Sequence, residues 1–264
     1  MRKRTIAVIG VLVLAMLGLA GVSSQAVAKA DKPTVVLVHG AFAESASWDG
    51  VIKRLDKAGY PVVAVANPLR SVSGDATYLR SVLAGIKGPI VLVGHSYGGQ
   101  VMTPAATGNQ NVKALVYIAA FAPAKSESAL DLTNKFPGST LGAAIQSIPL
   151  GDGSNDVTIQ PAKFREQFMA DVSRKEAALA AVTQRPIRDV ALSEGAGDPA
   201  WTSIPSWFLI PTGDKNIPPA VQHFMADRAH AKAVVEVKGA SHAVAVSEPG
   251  KVADLIKQAA TATR

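Results

Sequence analysis

The chain has 264 residues, 48 % of them hydrophobic and 18 % charged, and no cysteine. That balance excludes an intrinsically disordered chain, and the missing cysteines exclude a disulfide scaffold, Cys-based zinc sites, iron–sulfur clusters and a cysteine nucleophile. The formal charge is +7, but Arg2, Lys3 and Arg4 supply three of it in a segment without acids, and the remaining +4 forms no dense basic run, so a nucleic-acid partner is not expected.

Met1 to Arg4 form a positive start, Thr5 to Val22 are apolar or small, Ser23-Ser24-Gln25 turn polar, and Ala26-Val27-Ala28 offers small residues where signal peptidase reads. This order predicts a secretory signal over residues 1–28, cleaved after Ala28 or, as second choice, after Ala30. An uncleaved anchor is the alternative, because the apolar stretch approaches the ~18 residues that span a bilayer. The expectation is an exported protein, periplasmic or secreted, with no stable membrane association after cleavage. No internal repeat is visible, and residues 29–264 have the size of one domain.

The mature chain alternates short apolar runs with helical patterns. Thr34 to Val38 reads as a buried strand; Trp48, Val51, Ile52 and Leu55 recur at helical spacing, with Gly59 as a stop. Pro61 to Val65 is a second strand, and Leu79, Val82, Leu83 and Ile86 mark the next helix. Pro89 to Val93 is a third strand running into Gly94, followed by a small-residue helix from Gln100 to Ala106 and a fourth strand from Val112 to Ala119. Ser206 to Ile210 and Ala233 to Val237 give two more strands, separated by a helix marked by Val221, Phe224 and Met225; Val252, Leu255, Ile256 and Ala259 mark the last helix. Continuous apolar strands between amphipathic helices predict an α/β fold with a mostly parallel sheet covered on both faces. Residues 121–204 break the rhythm. They hold no strand of that quality, a turn signal at Gly151 to Asn155, and one helical stretch from Pro161 to about Gln184 with Phe164, Phe168 and Val172 on its face. A helical cap insertion is expected there, with an elaborated crossover as the alternative.

Gly94-His95-Ser96-Tyr97-Gly98-Gly99 fits G-x-S-x-G between an apolar strand and a helix. A serine on so sharp a strand-to-helix turn needs glycines around it for close packing, and its hydroxyl needs a base. Of five histidines, His242 lies in a loop after the last strand, at the carboxyl edge that also carries Ser96. His95 sits inside the motif and is expected to point away from Ser96. The base needs a carboxylate to hold its tautomer. Asp214 ends the fifth of these strands at the same edge, whereas the preceding strand ends Ala119-Ala120-Phe121-Ala122, without an acid. A turn aspartate and a structural loop histidine are the plainer readings of Asp214 and His242.

The chain order Ser96, Asp214, His242 is that of the α/β-hydrolases. Together with Val36 to Phe42 and Trp48, the motif at 94–99, Thr212-Gly213-Asp214-Lys215 with Ile217-Pro218, and Gly239 to His242, it resembles the α/β-hydrolase superfamily, and within it the small esterases that include plant methyl esterases and hydroxynitrile lyases. The resemblance implies an oxyanion hole from the backbone N–H groups of Ala41 and Tyr97, each donor worth about 3–4 kcal/mol of transition-state stabilisation. It implies no cofactor and no metal, with a small-molecule ester and water as reactants. Trp48 is read as packing under the first loop, Phe42 as core or substrate contact, and Phe164 and Phe168 as walls of the substrate pocket. Hydroxynitrile lyases resembling this chain carry threonine at Gly40 and lysine at Ala243, so the distinctive lyase groups are missing. Other acyl hydrolysis, or small-molecule reception without catalysis, stays open.

Overall fold

A computed structural model describes residues 32–263; the expected export segment, 1–28, lies outside them. Strands β1 (Thr34–Val38) and β2 (Val62–Val65) flank helix α1 (Asp49–Lys57), which is preceded by a 3-10 turn at Ser45–Trp48. Gly59, at φ +73°, reverses the chain after α1. Helix α2 (Val72–Ala84) leads to β3 (Ile90–His95), then α3 (Tyr97–Ala105) and β4 (Val112–Ile118). After a long insert come β8 (Ser206–Pro211), α8 (Pro219–Arg228), β9 (Ala233–Val237), α9 (Val244–Ser247) and α10 (Pro249–Ala262), the numbers between belonging to the insert.

The six body strands form one parallel sheet in the order β2-β1-β3-β4-β8-β9. Successive side chains point to opposite faces, so each apolar run feeds two cores. Val35, Leu37, Val91, Val93 and Val116 pack against Trp48 and Leu55 and against Val252, Ile256 and Ala259 of α10. Val36, Leu92, Leu115, Tyr117 and Phe208 face the other way, onto Leu79 and Leu83 of α2, Val101 of α3, and Val221 and Met225 of α8. Burial on both faces is why these strands show no polar alternation. The chain steps outward from β1 to β2 and then resumes on the other side of β1 at β3, and such a reversal opens a crevice at the carboxyl ends of the strands.

The insert between β4 and β8 differs from expectation in two ways. It contains a three-stranded antiparallel sheet of β5 (Ile145–Pro149), β6 (Asn155–Ile159) and β7 (Ile187–Arg188). No apolar run marks these strands, because β5 is mostly exposed with Gln146 and Ser147 between its isoleucines, and β6 is polar at three of five positions. The turn signal at 151–154 is the hairpin connection, closed by the Leu150 N–H donating to the Ser154 carbonyl. The expected single helix over 161–184 is two helices, α5 (Pro161–Phe168) and α6 (Arg174–Thr183). Met169 leaves the helical region, and the Ser173 hydroxyl starts α6 by accepting from the Glu176 N–H. The insert also carries α4 (Ala129–Lys135) and α7 (Asp189–Ser193).

The insert is tied to the body at several edges. Glu194 accepts from the Val72 and Ser73 N–H groups, a carboxylate on the free donors that open α2. Arg70 pairs with Asp156 at 2.6 Å and donates to the Pro186 carbonyl. The Phe42 N–H donates to the Arg185 carbonyl, and the Ala243 N–H to the Phe168 carbonyl. No helix among the described residues is long and apolar enough to cross a membrane.

Candidate active site

Ser96 joins β3 to α3 with φ 54° and ψ −125°, a conformation that costs a non-glycine residue about 1–3 kcal/mol. Its neighbours hold it there. The Ser96 N–H donates to the Ala119 carbonyl, and its own carbonyl accepts from the Gly99 and Phe121 N–H groups. Gly98 has to be glycine because a Cβ there would collide with the Val38 carbonyl. Gly40 is equally tight, since a Cβ would stand 2.6 Å from the Ser96 Cβ. The first loop and the elbow are therefore packed backbone against backbone.

His242 and Asp214 meet as their strands' edges require. The His242 Nδ1–H donates to Asp214 Oδ2 at 2.8 Å, which makes Nε2 the free nitrogen of the neutral imidazole. Asp214 is saturated: Oδ1 accepts from the Asn216 and Ile217 N–H groups at 2.8 and 3.0 Å, and Oδ2 also accepts from Gln222 Nε2 at 2.9 Å. Gln222 donates to the Ile217 carbonyl as well, so α8 and the turn before it brace the carboxylate together. Both residues are buried, His242 to 1 % exposure and Asp214 to 5 %.

Ser96, His242, Ala41 and Tyr97 line one cavity of about 460 Å³, with Asp214 behind His242. Among the described residues, the Ala41 and Tyr97 N–H groups have no protein acceptor. The Tyr97 side chain is anchored away from Ser96, its hydroxyl donating to Asp75 Oδ2 at 3.0 Å. Burial, followed by the adjacent carboxylate, pushes the Tyr97 phenol well above its ordinary range, and burial raises Asp75. No group of three or more His, Asp or Glu that could hold a metal ion stands together among the described residues.

His95 lies outside the Ser96 cavity and braces the loop of His242, a contact that sequence reasoning did not anticipate. Its Nε2–H donates to the His242 carbonyl at 2.9 Å, and the two rings lie 4.8 Å apart. Burial, with a second contribution from His242, lowers its pKa to about 3, so it is a neutral donor that fixes the loop of His242. His39 plays a parallel part under the first loop: Nδ1–H donates to the Gly40 carbonyl, Nε2 accepts from the Asn67 N–H, and burial lowers its pKa to about 4. The signal for both was their position at strand ends; the partners, 147 and 28 residues away, were not readable.

The aromatic expectations need one correction. Phe164 and Phe168 line a separate cavity of about 180 Å³ beside His95, not the one that holds Ser96. Phe168 lies edge-on to His242, Phe42 and His95 and so forms the partition between the two spaces. The Ser96 cavity takes its apolar wall from Phe121, Leu130, Leu141, Ile145, Leu192 and Ile217. Phe42 borders both cavities, and Trp48 is fully buried with its edge toward His95.

The fold and this edge constellation define an α/β hydrolase. The sequence profile of the Alpha/beta hydrolase family matches residues 35–255, and the chain belongs to that family. It is similar to salicylic acid-binding protein 2 of Nicotiana tabacum, at 27 % identity over 243 residues, covering 82 % of this chain and 93 % of that one. It is also similar to the alpha-hydroxynitrile lyase of Arabidopsis thaliana, at 24 % over 248 residues, covering 86 % and 96 %. The crystal structure of polyneuridine aldehyde esterase superposes with a TM-score of 0.74 at 22 % identity, over 86 % of this chain and 98 % of that one. Those names describe a binding protein, a lyase and an esterase, so the family by itself leaves the reaction to be argued from the site.

Proposed function

We propose that the protein hydrolyses carboxylic esters of small to medium hydrophobic substrates through Ser96, His242 and Asp214 and an acyl-enzyme. The observation that carries this reading is the His242–Asp214 hydrogen bond, which leaves Nε2 basic in the cavity that Ser96 enters from its strained turn. His242 Nε2 takes the Ser96 proton as Oγ bonds to the ester carbonyl carbon. The oxyanion accepts from the Ala41 and Tyr97 N–H groups, preorganised donors worth about 3–4 kcal/mol each. His242 then hands its proton to the leaving alcohol. Water, deprotonated by the same nitrogen, attacks the acyl-serine and releases the acid. The residues between β4 and β8 act as the cap that shapes the acyl or alcohol pocket. Residues 1–28 act as a signal that exports the enzyme.

Lyase chemistry is disfavoured at Gly40, where a side chain would press on Ser96, and at Ala243, where a cation would be needed. The test uses the mature protein from Lys29 on p-nitrophenyl acetate, butyrate and octanoate, beside Ser96→Ala. A loss of at least ~10³-fold in kcat for the variant is expected. A protein that turns over none of the three, and whose Ser96 takes no fluorophosphonate label, is a receptor rather than an esterase.

A further inference from the structure

The Ser96 cavity contains one buried polar group that the proposed reaction does not use. Asn216 lines the cavity, is 3 % exposed, and its side-chain Nδ2 has no hydrogen-bond partner. A buried amide donor without an acceptor is uncommon and costly, and native proteins keep such a group where something else meets it.

The orientation of this amide follows from its neighbours. The Lys215 carbonyl can only accept, so the atom of Gln167 that faces it at 2.9 Å is the nitrogen. The Gln167 oxygen then accepts from the Thr140 hydroxyl at 2.8 Å. The second hydrogen of Gln167 Nε2 goes to Asn216 at 2.8 Å, which must present its oxygen there. Nδ2 is therefore the end left over, and turning the Asn216 amide would set two donors against each other. The backbone at Asn216 is also fixed, its N–H held by Asp214 and its carbonyl by the Ser139 hydroxyl. The donor is thus rigid and buried beside the Asp214 turn, on a residue that lines a cavity whose remaining wall is largely apolar.

We infer that Asn216 is a specificity-determining residue whose Nδ2 donates to an oxygen of the substrate outside the scissile ester. The inference deepens the ester-hydrolase reading and depends on it. The substrate class is then an apolar ester carrying one further carbonyl, ether or hydroxyl oxygen, rather than a plain alkyl ester. A pocket with a preset donor discriminates against an analogue that lacks the acceptor, because the donor is then left buried and unpaired.

The experiment uses matched esters in which a ketone carbonyl replaces one methylene, moved along the acyl chain in one series and along the alkoxy chain in the other, each followed by acid release. At one position the wild type should favour the oxo ester over its alkyl twin by about 3- to 10-fold in kcat/KM. Asn216→Asp keeps the oxygen that Gln167 needs and removes the donor, so its ratio should fall to one or below. Asn216→Ala should do the same, and Asn216→Ser, which restores a donor, should recover part of the preference. The ratio is taken within each variant, so a general loss of activity or fold cancels. A wild type without preference at any position overturns the inference, as does a preference that survives in both Asp and Ala variants. No turnover of any ester removes the ester-hydrolase reading itself, which is a different result from turnover without preference.

Discussion

At the sheet edge, Asp214 takes four hydrogen bonds, Ser96 is pinned through both its backbone groups, and His39 and His95 are sealed as neutral donors. The insert between β4 and β8 is built otherwise. Its strands are short, its longest helix has 10 residues, and it holds five of the seven large hydrophobic residues that stand exposed among those described: Leu130, Ile148, Leu179, Val182 and Val190. The edge derives its geometry from backbone packing that tolerates almost no added atom, whereas the insert contributes half-buried side chains to a cavity wall. Packing is therefore tightest where the proposed proton transfer would need fixed distances, and looser along the wall that the proposed substrate would meet.

The largest expected effect breaks the edge. Asp214→Asn keeps the size of the side chain but turns an amide nitrogen toward Gln222 Nε2 and His242 Nδ1, both of which now donate. The imidazole is forced into the wrong tautomer and Nε2 carries the proton. Ester turnover should fall by ~10³–10⁴-fold in kcat, with p-nitrophenyl butyrate as substrate and thermal melting to show that the fold persists. A loss below tenfold would mean that Asp214 only closes a turn.

The placement of Ser96, Asp214 and His242 at one edge was legible in the sequence because it is set by where strands end. Ser96, Asp214 and His242 each follow an apolar run, and parallel strands bring their carboxyl ends to one side whatever lies between. The sheet itself was readable for the same reason. The hairpin at 145–159 was not, since its pairing depends on a half-exposed sheet with no apolar signature, and neither was the break between Phe168 and Arg174 inside a continuous helical pattern. The contacts of His95, Gln222 and Asn216 are ones that only the folded chain creates; Gln167 and Asn216 are 49 residues apart in sequence. The helical face of Phe164 and Phe168 suggests a substrate pocket, yet it meets a second cavity, separate from that of Ser96, which only the fold reveals.

The next effect concerns stability. An unfolded histidine takes up a proton near pH 6.5, but His39 does so only near 4 and His95 near 3 in the folded protein, chiefly because of burial. Below 6.5 the unfolded state binds more protons than the native state, so stability is fully present above that pH and declines as the pH falls toward 4. Two such groups lower the unfolding free energy by roughly 2–4 kcal/mol between pH 7 and pH 5. Urea midpoints at the two values measure it. His95→Asn, which retains a side-chain amide for the His242 carbonyl, should remove about half of the pH dependence. A midpoint that does not move with pH would mean that these histidines are not sealed from solvent protons.

The smallest expected effect probes the insert. Leu141 is half-buried and lines the Ser96 cavity, whereas Leu92 sits fully buried in β3. Truncating a leucine in the position of Leu92 leaves a void worth about 2–5 kcal/mol. Leu141→Ala exposes a wall that already meets open space, and should cost less than about 1 kcal/mol. Its consequence belongs to selectivity: the widened cavity accepts more methylenes, each worth up to about 0.8 kcal/mol when buried, so the octanoate-to-butyrate ratio of kcat/KM should rise by about 3- to 5-fold. Chain-length profiles and melting curves of the same preparation read both quantities. A variant that loses core-sized stability with an unchanged profile would make this part of the insert an extension of the body's core, and the division between a rigid edge and an adaptable wall would have to be drawn elsewhere.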